Sequence, residues 1–192
     1  MKIVFASNNP NKIAELQSIM PDSITIMSLE SIGCHEEIPE TASTIEGNAI
    51  LKANYVTQNY GYDCFADDTG LEVAALNGEP GVYSARYAGE QRNADDNMNK
   101  LLGALSTKND RSAQFKTVIA LNINGEQHLF TGIAKGEITH EKTGNQGFGY
   151  DPIFQPEGYQ ETFAQLPLSL KNKISHRGKA TQQLLDFLHE KR

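Results

Sequence analysis

Two adjacent carboxylates, Asp67 and Asp68, follow the short apolar run Cys64-Phe65-Ala66 and precede Thr69-Gly70-Leu71. If that run is a strand, successive side chains point to opposite faces. Only one of the two acids can then aim into a given cleft, while the other braces the turn or stands behind it. Thr69-Gly70 reads as a tight turn that sets a hydroxyl and backbone N–H groups beside the acids. Carboxylate oxygens with water and a ligand phosphate nearby are what a Mg²⁺ site requires. For this fragment alone, a solvated Asp-Asp turn joining two strands is the plainer alternative.

Other segments carry chemistry suited to phosphates or to a planar ring. Ser7-Asn8-Asn9-Pro10-Asn11-Lys12 lies between the apolar run Lys2–Ala6 and the residues Ile13, Leu16, Ile19 and Met20, which recur at helical spacing. A helix N-terminus offers unpaired N–H groups and partial positive charge, and Lys12 adds a full charge. The glycines of a Walker loop are missing, and a simple helix cap accounts for Ser7 and the asparagines as well. Glu40-Thr41 precede a helical pattern from Ser43 or Thr44 to about Tyr60, on which Glu46, Asn48 and Lys52 lie on one face. The stretch from Gly144 to Phe154 combines glycines with two rings, Phe148 and Tyr150, that could stack on a base, although for this stretch alone a glycine-rich loop whose aromatics enter the core is the plainer reading. Lys171 to Lys179 gathers four basic residues and His176. That stretch reads as the opening of the last helix and as a clamp for a base or phosphate, with solvated charges flanking an amphipathic helix as the alternative.

The elements that must position these groups follow from periodicity. Ile24 and Ile26 suggest a second strand, Leu71 to Leu76 another, and Asn77–Gly81 a turn. Met98, Leu101, Leu102 and Leu105 mark an amphipathic helix from Asn93 or Ala94. Phe115, Thr117, Ile119, Leu121 and Ile123 alternate with Lys116, Val118, Ala120 and Asn122 as a strand, Asn124-Gly125 is a hairpin turn, and a return strand runs from Leu129 to Ile138. Gly132 and Gly136 within that strand predict a bulge or bend. The pattern is α/β, with two lobes sharing one sheet and the two long strands as its spine.

With 192 residues the chain can bury a substantial core. Seventeen basic against 24 acidic residues give a net charge of −7, which argues against general affinity for nucleic acid or an anionic membrane. Cys34 and Cys64 lack zinc-ligand spacing and suit a reducing compartment. No apolar run approaches a membrane span and the amino terminus lacks a signal-peptide pattern, so the expected location is cytoplasmic.

Taken in order, Ser7-Asn8-Asn9 with Lys12, Glu40-Thr41, Asn48–Ala53, Ala66–Leu71, Pro80–Arg86, Gly147–Phe154 and Ser175–Gly178 resemble the inosine triphosphate pyrophosphatase family. The resemblance covers essentially the whole chain. It implies hydrolysis of non-standard purine nucleoside triphosphates (ITP, dITP, XTP) to the monophosphate and pyrophosphate, with Mg²⁺ as cofactor. It also implies one domain over residues 1–192: a two-lobed α/β fold around a long, twisted mixed β-sheet flanked by helices, with the active site in the cleft between the lobes, in a homodimer. Carried over by position, Asp68 is general base and metal-linked carboxylate, and Glu40 a metal ligand. Ser7, Asn8, Asn9, Pro10, Asn11, Lys12 and Lys52 hold phosphate. Thr69, Phe148, Gly149, Tyr150, Asp151, Lys171, His176 and Arg177 bind the rest of the substrate. Ser7 stands where threonine is frequent and Thr69 where serine is frequent, and both keep the hydroxyl.

The chemistry agrees with that implication. Attack at the α-phosphorus expels pyrophosphate, a carboxylate takes the proton from water, and lysines neutralise the leaving charge. A donor from Lys171, Arg177 or a backbone N–H would accept the C6 oxygen of hypoxanthine or xanthine and leave adenine's amino group unpaired. The alternatives are a related pyrophosphatase for modified pyrimidine or methylated nucleotides, and a non-catalytic nucleotide-sensing module.

Overall fold

The structure, a computed structural model, describes residues 1–191. In chain order its elements begin β1 (Lys2–Phe5), α1 (Pro10–Ile19), β2 (Thr25–Met27), α2 (Ile45–Tyr60) and β3 (Cys64–Val73). They continue β4 (Pro80–Gly81), α3 (Ala94–Ala104), β5 (Ser112–Ile123) and β6 (Glu126–Ile138). The last are β7 (Phe154–Pro156), α4 (Leu168–Ile174) and α5 (His176–Glu190). The strand order is β2-β1-β3-β5-β6-β7, with β4 added on β3. β1 pairs in parallel with β2 and β3, whereas β4 and β7 are antiparallel to their partners, so the sheet is mixed as expected.

The chain divides into two units. The first holds Met1–Asp68, Thr117–Gly132 and the segment from Arg177 onward; the second holds Thr69–Lys116 and Ile133–His176. In the first unit the sheet is covered on both faces, which is why β1 reads as an uninterrupted apolar run. On one face Val4, Cys64, Ala66, Val118 and Ala120 pack against Ile45, Ala49, Ala53 and Val56, the apolar stripe of α2. On the other, Ile3, Phe5, Phe65, Ile119 and Leu121 meet Leu16 of α1 and Ala180, Leu184 and Leu188 of α5. Phe5 and Phe65 stack there with centroids 4.8 Å apart. Thr44 caps α2 by accepting from the Gly47 N–H, and Gly61 ends it in the left-handed region at φ 73°.

The second unit is built on the far halves of β3, β5 and β6. Leu71, Val73, Met98, Leu101, Phe115, Phe154 and Phe163 belong to its core. The hairpin joining β5 to β6 turns at Asn124 (φ 51°) and Gly125 (φ 80°), the two left-handed residues that such a turn demands.

Three local expectations are corrected. Thr69-Gly70 is not a turn: β3 runs unbroken through it to Val73, and residues 74–76 form a 3-10 turn rather than more strand. Gly70 and Leu71 are buried in the sheet, and that burial outweighs the local turn signal. Gly136 is no bend either, for a Cβ there would lie 2.2 Å from the Gln155 carbonyl oxygen, and glycine is what lets β7 approach. Lastly, the basic stretch is not the opening of one helix. Lys171 and Lys173 lie in α4, Ser175 breaks the chain in an extended conformation, and α5 starts at His176.

Candidate active site

The two-residue period of β3 decides the fate of the acids. Phe65 and Asp67 share the face covered by α1 and α5, while Ala66 and Asp68 share the face covered by α2. Both carboxylates are buried, Asp67 at 1% and Asp68 at 6% exposure. Buried charge of this kind requires partners.

Asp67 has them on every side. Lys12 Nζ donates to its Oδ1 at 3.1 Å, and Arg177 Nε donates to its Oδ2 at 3.2 Å. Its backbone carbonyl accepts from Lys52 Nζ at 2.6 Å. Burial alone would raise the Asp67 pKa, but Lys12, Arg177 and Lys52 together hold it well below the usual carboxylate range. Arg177 reaches in from the first turn of α5 and also bonds the Glu15 carboxylate at 2.5 Å. Lys12 sits in the first turn of α1, where burial lowers its pKa against the opposing pull of Asp67.

Asp68 is treated differently. Its nearest cation is Lys52 Nζ, 4.0 Å from Oδ1, and its Oδ2 is buried with no hydrogen-bond partner. Burial therefore dominates over the attraction of Lys52 and Lys12, and the Asp68 carboxyl is pushed up to about 6. Glu40, in the loop before α2, accepts from the same Lys52 Nζ at 3.2 Å. Burial would discharge Lys52, but Glu40, Asp67 and Asp68 hold its pKa above the ordinary lysine value. Two carboxylates thus face one ammonium, and one of their oxygens is unsatisfied.

The Ser7–Lys12 loop is chiefly a cap. Asn9 Oδ1 accepts from the N–H groups of Asn11 and Lys12, and Ser7 Oγ accepts from the Asn9 N–H. Asn8, Pro10 and Asn11 are exposed. The loop's one side chain in the charged cluster is Lys12.

In the second unit Phe148, Asp151 and Lys171 come together. Lys171 Nζ donates to Asp151 Oδ2 at 2.7 Å and stands 5.0 Å from the centre of the half-buried Phe148 ring. The Phe148 N–H donates to the same carboxylate oxygen at 3.0 Å. Gly147, at φ 72°, makes room, since a Cβ would meet that oxygen at 2.1 Å. Gly149 also lies in the left-handed region, at φ 62°. Tyr150 is turned inward, and its hydroxyl donates to the Ser84 carbonyl at 2.6 Å. His176 is buried too, stacked on Phe115 with centroids 4.4 Å apart. Thr69 is half-buried in β3.

The predicted residues therefore fall into two sets: Lys12, Glu40, Lys52, Asp67, Asp68 and Arg177 in the first unit, and Phe148, Asp151 and Lys171 in the second. Arg177 joins the carboxylates of the first unit, bonded to Asp67 and Glu15. Two residues escaped the sequence reading. Glu15 holds Arg177, and its signal was its place three residues after Lys12, on the same helix face. Ser84 accepts from the Leu71 N–H at 2.9 Å, donates to the Gly81 carbonyl and receives Tyr150, and its one signal was its place in the Pro80–Arg86 stretch. The second unit also bears an open concavity of about 710 Å³ between Glu72, Gln114, Lys135, Glu137 and Tyr159, and it holds none of the predicted residues.

A buried carboxylate pair on β3, with two lysines and an arginine around it, is the charged centre of this mixed α/β protein. The Ham1 family pattern matches residues 3–187. A dITP/XTP pyrophosphatase of Flavobacterium johnsoniae is 76% identical over 188 residues, covering 98% of both chains. Among solved structures, the Staphylococcus aureus Ham1 protein superposes with a TM-score of 0.91 at 44% identity over the full length of both chains. A HAM1 protein from Coxiella burnetii does so with a TM-score of 0.92 at 42% identity over 99% of each. The chain belongs to the Ham1 family.

Proposed function

We propose that this protein hydrolyses dITP, ITP and XTP to the monophosphate and pyrophosphate, and so clears non-standard purines from the nucleotide pool. The observation that carries the reading is Asp68: a buried carboxylate with one unpartnered oxygen and a raised pKa, beside a lattice of cations held by Asp67. A group that titrates near neutrality and has a free oxygen is suited to take a proton from water. The names of the relatives support the substrate class.

The phosphates are assigned to Lys12, Lys52 and Arg177. A water molecule attacks the α-phosphorus, its proton passes to Asp68, the bond to the β-phosphate bridging oxygen breaks, and pyrophosphate leaves. Lys12 and Lys52 oppose the charge that builds on the leaving group. Asp68 and Glu40 fit a divalent cation: both face the Lys52 ammonium, and the orphaned Asp68 oxygen wants a positive partner. Among the described residues no set of three or more His, Cys, Asp or Glu side chains gathers as a metal site. A Mg²⁺ ion would draw the rest of its shell from substrate phosphates and water, as it commonly does. When bound, it supplies positive charge against the phosphate oxygens and acidifies water.

Base recognition is assigned to the second unit, with Phe148 as stacking platform and Lys171 or a neighbouring backbone N–H as donor to the C6 oxygen. The homodimer implied by the resemblance belongs to the same proposal, and so does a cytoplasmic setting, which the free, buried Cys34 and Cys64 suit. No helix among the described residues is long and apolar enough to cross a membrane.

Pyrophosphate release from ITP, XTP, dITP, dUTP, ATP and GTP, with and without Mg²⁺, tests the reading. Release from the first three alone, dependent on Mg²⁺, is expected. Preference for dUTP would move the protein to pyrimidine nucleotides, and saturable binding without release would make it a sensor.

A further inference from the structure

In the reaction above Asp67 carries no proton and holds no metal, yet it bonds three cations of the cluster. Its geometry is not that of a spare metal ligand. Each carboxylate oxygen already has a cation, Lys12 Nζ on Oδ1 and Arg177 Nε on Oδ2, and its backbone carbonyl holds Lys52 Nζ. With 1% of its surface exposed it has little room for water or a further partner. The three cations it gathers come from three helices, α1, α2 and α5, and they would repel one another across a buried space without an anion between them. They are also the three assigned to the phosphates.

We propose that Asp67 is a positioning residue that does not bind metal: its carboxylate and carbonyl hold Lys12, Arg177 and Lys52 converged on the place the triphosphate occupies. The inference rests on the proposed pyrophosphatase reading. The β3 register makes the division of labour possible, because Asp67 and Asp68 must face opposite ways. One acid sets the cations while its neighbour stays available for the reaction. Lys12, 15% exposed at its side chain, is the cation best placed to exchange its carboxylate contact for a phosphate oxygen. Glu15 restrains Arg177 from the other side, so that the guanidinium is fixed between two carboxylates.

The test is Asp67→Asn, compared with wild type for steady-state ITP hydrolysis, for pyrophosphate binding by calorimetry and for the Mg²⁺ concentration giving half-maximal rate. A lost charge-assisted contact to each of two cations predicts that KM for ITP and the Kd for pyrophosphate both rise about tenfold or more, with a smaller change in kcat. The Mg²⁺ requirement is expected to stay as in wild type, whereas Glu40→Gln raises it. In a Lys12→Ala background the Asp67→Asn penalty on pyrophosphate binding shrinks, because the two residues act through one contact. A residue needed only for folding would give additive effects there. If Asp67→Asn fails to fold, Asp67→Glu keeps the charge and moves it by one methylene; the same loss of pyrophosphate affinity, smaller in size, is then expected. Pyrophosphate affinity unchanged in a folded variant, additive penalties, or a raised Mg²⁺ requirement would each overturn the proposal. Absence of pyrophosphate release by the wild type would instead overturn the reading beneath it.

Discussion

On the α1/α5 face of β3 a carboxylate meets an ammonium and a guanidinium; on the α2 face, one residue further along, the same group meets a single distant ammonium and nothing at its second oxygen. Both sites are buried, so burial alone does not separate them. What differs is how far each cation can reach: Lys12 and Arg177 close to hydrogen-bond distance, while Lys52 spends its short contacts on Glu40 and the Asp67 carbonyl. One acid is thereby fixed as an anion, and the other is left poised between charge states. A strand can produce such a pair from two identical neighbours because its faces look onto different helices.

The comparison can be broken most forcefully at Asp68. Asp68→Asn removes the proton acceptor and should lower kcat by about 100- to 10,000-fold while ITP still binds. Turnover within a few-fold of wild type would take Asp68 out of the mechanism.

Stability sharpens the contrast, because the two acids should respond with opposite signs. The Asp68 pKa is raised in the folded protein, so its proton favours the fold; that contribution is lost as pH rises from the ordinary aspartate value of 3.8 to about 6. At pH 7.5 in metal-free buffer Asp68→Asn should therefore raise the unfolding temperature, by an amount equivalent to at most about 3 kcal/mol. Asp67, whose pKa is depressed, contributes stability above the ordinary range that is lost only on strong acidification. Asp67→Asn should cost about 3–5 kcal/mol at neutral pH, as breaking a buried ion pair does. Thermal melts of the two variants with chelator present check both signs.

Smaller effects are expected further from the acids. Lys12→Ala should raise KM for triphosphates about tenfold and slow turnover, the loss of one charge-assisted contact of about 1.5–3 kcal/mol. Unchanged pyrophosphate affinity would reduce the Ser7–Lys12 segment to the cap its hydrogen bonds already describe. Phe148→Ala should weaken every purine nucleotide by a similar factor, through about 1–3 kcal/mol of lost stacking, without changing the ranking of ITP over ATP. Lys171→Met, in contrast, should narrow that ranking if its ammonium addresses the C6 oxygen.

Much of this was legible in the chain. The strand over Phe115–Ile123, the Asn124-Gly125 turn and the helix from Ser43 or Thr44 are local signals, and local geometry honours them. The opposite facing of Asp67 and Asp68 followed from strand periodicity alone. What could not be read was which helix would lie over which face, because that depends on tertiary packing and not on local periodicity. Arg177 is the clearest case: sequence placed it in a basic run with Lys171, whereas the break at Ser175 gives it to α5 and a bond to Asp67 110 residues away. Tyr150 is a related case. An aromatic ring in a glycine-rich loop serves equally as a platform or as core, and the Ser84 carbonyl decides for the core. Thr69-Gly70 shows that turn-forming residues yield when the sheet on either side is buried.

The claim that two neighbouring acids have opposite electrostatic fates is tested most directly by following their carboxyl carbons by NMR as pH is varied in the metal-free protein. The account predicts that Asp68 titrates near about 6 while Asp67 stays ionised through the ordinary carboxylate range. If the two carboxyls titrated together close to the ordinary aspartate value of 3.8, the faces of β3 would not distinguish them and the division of labour would fall.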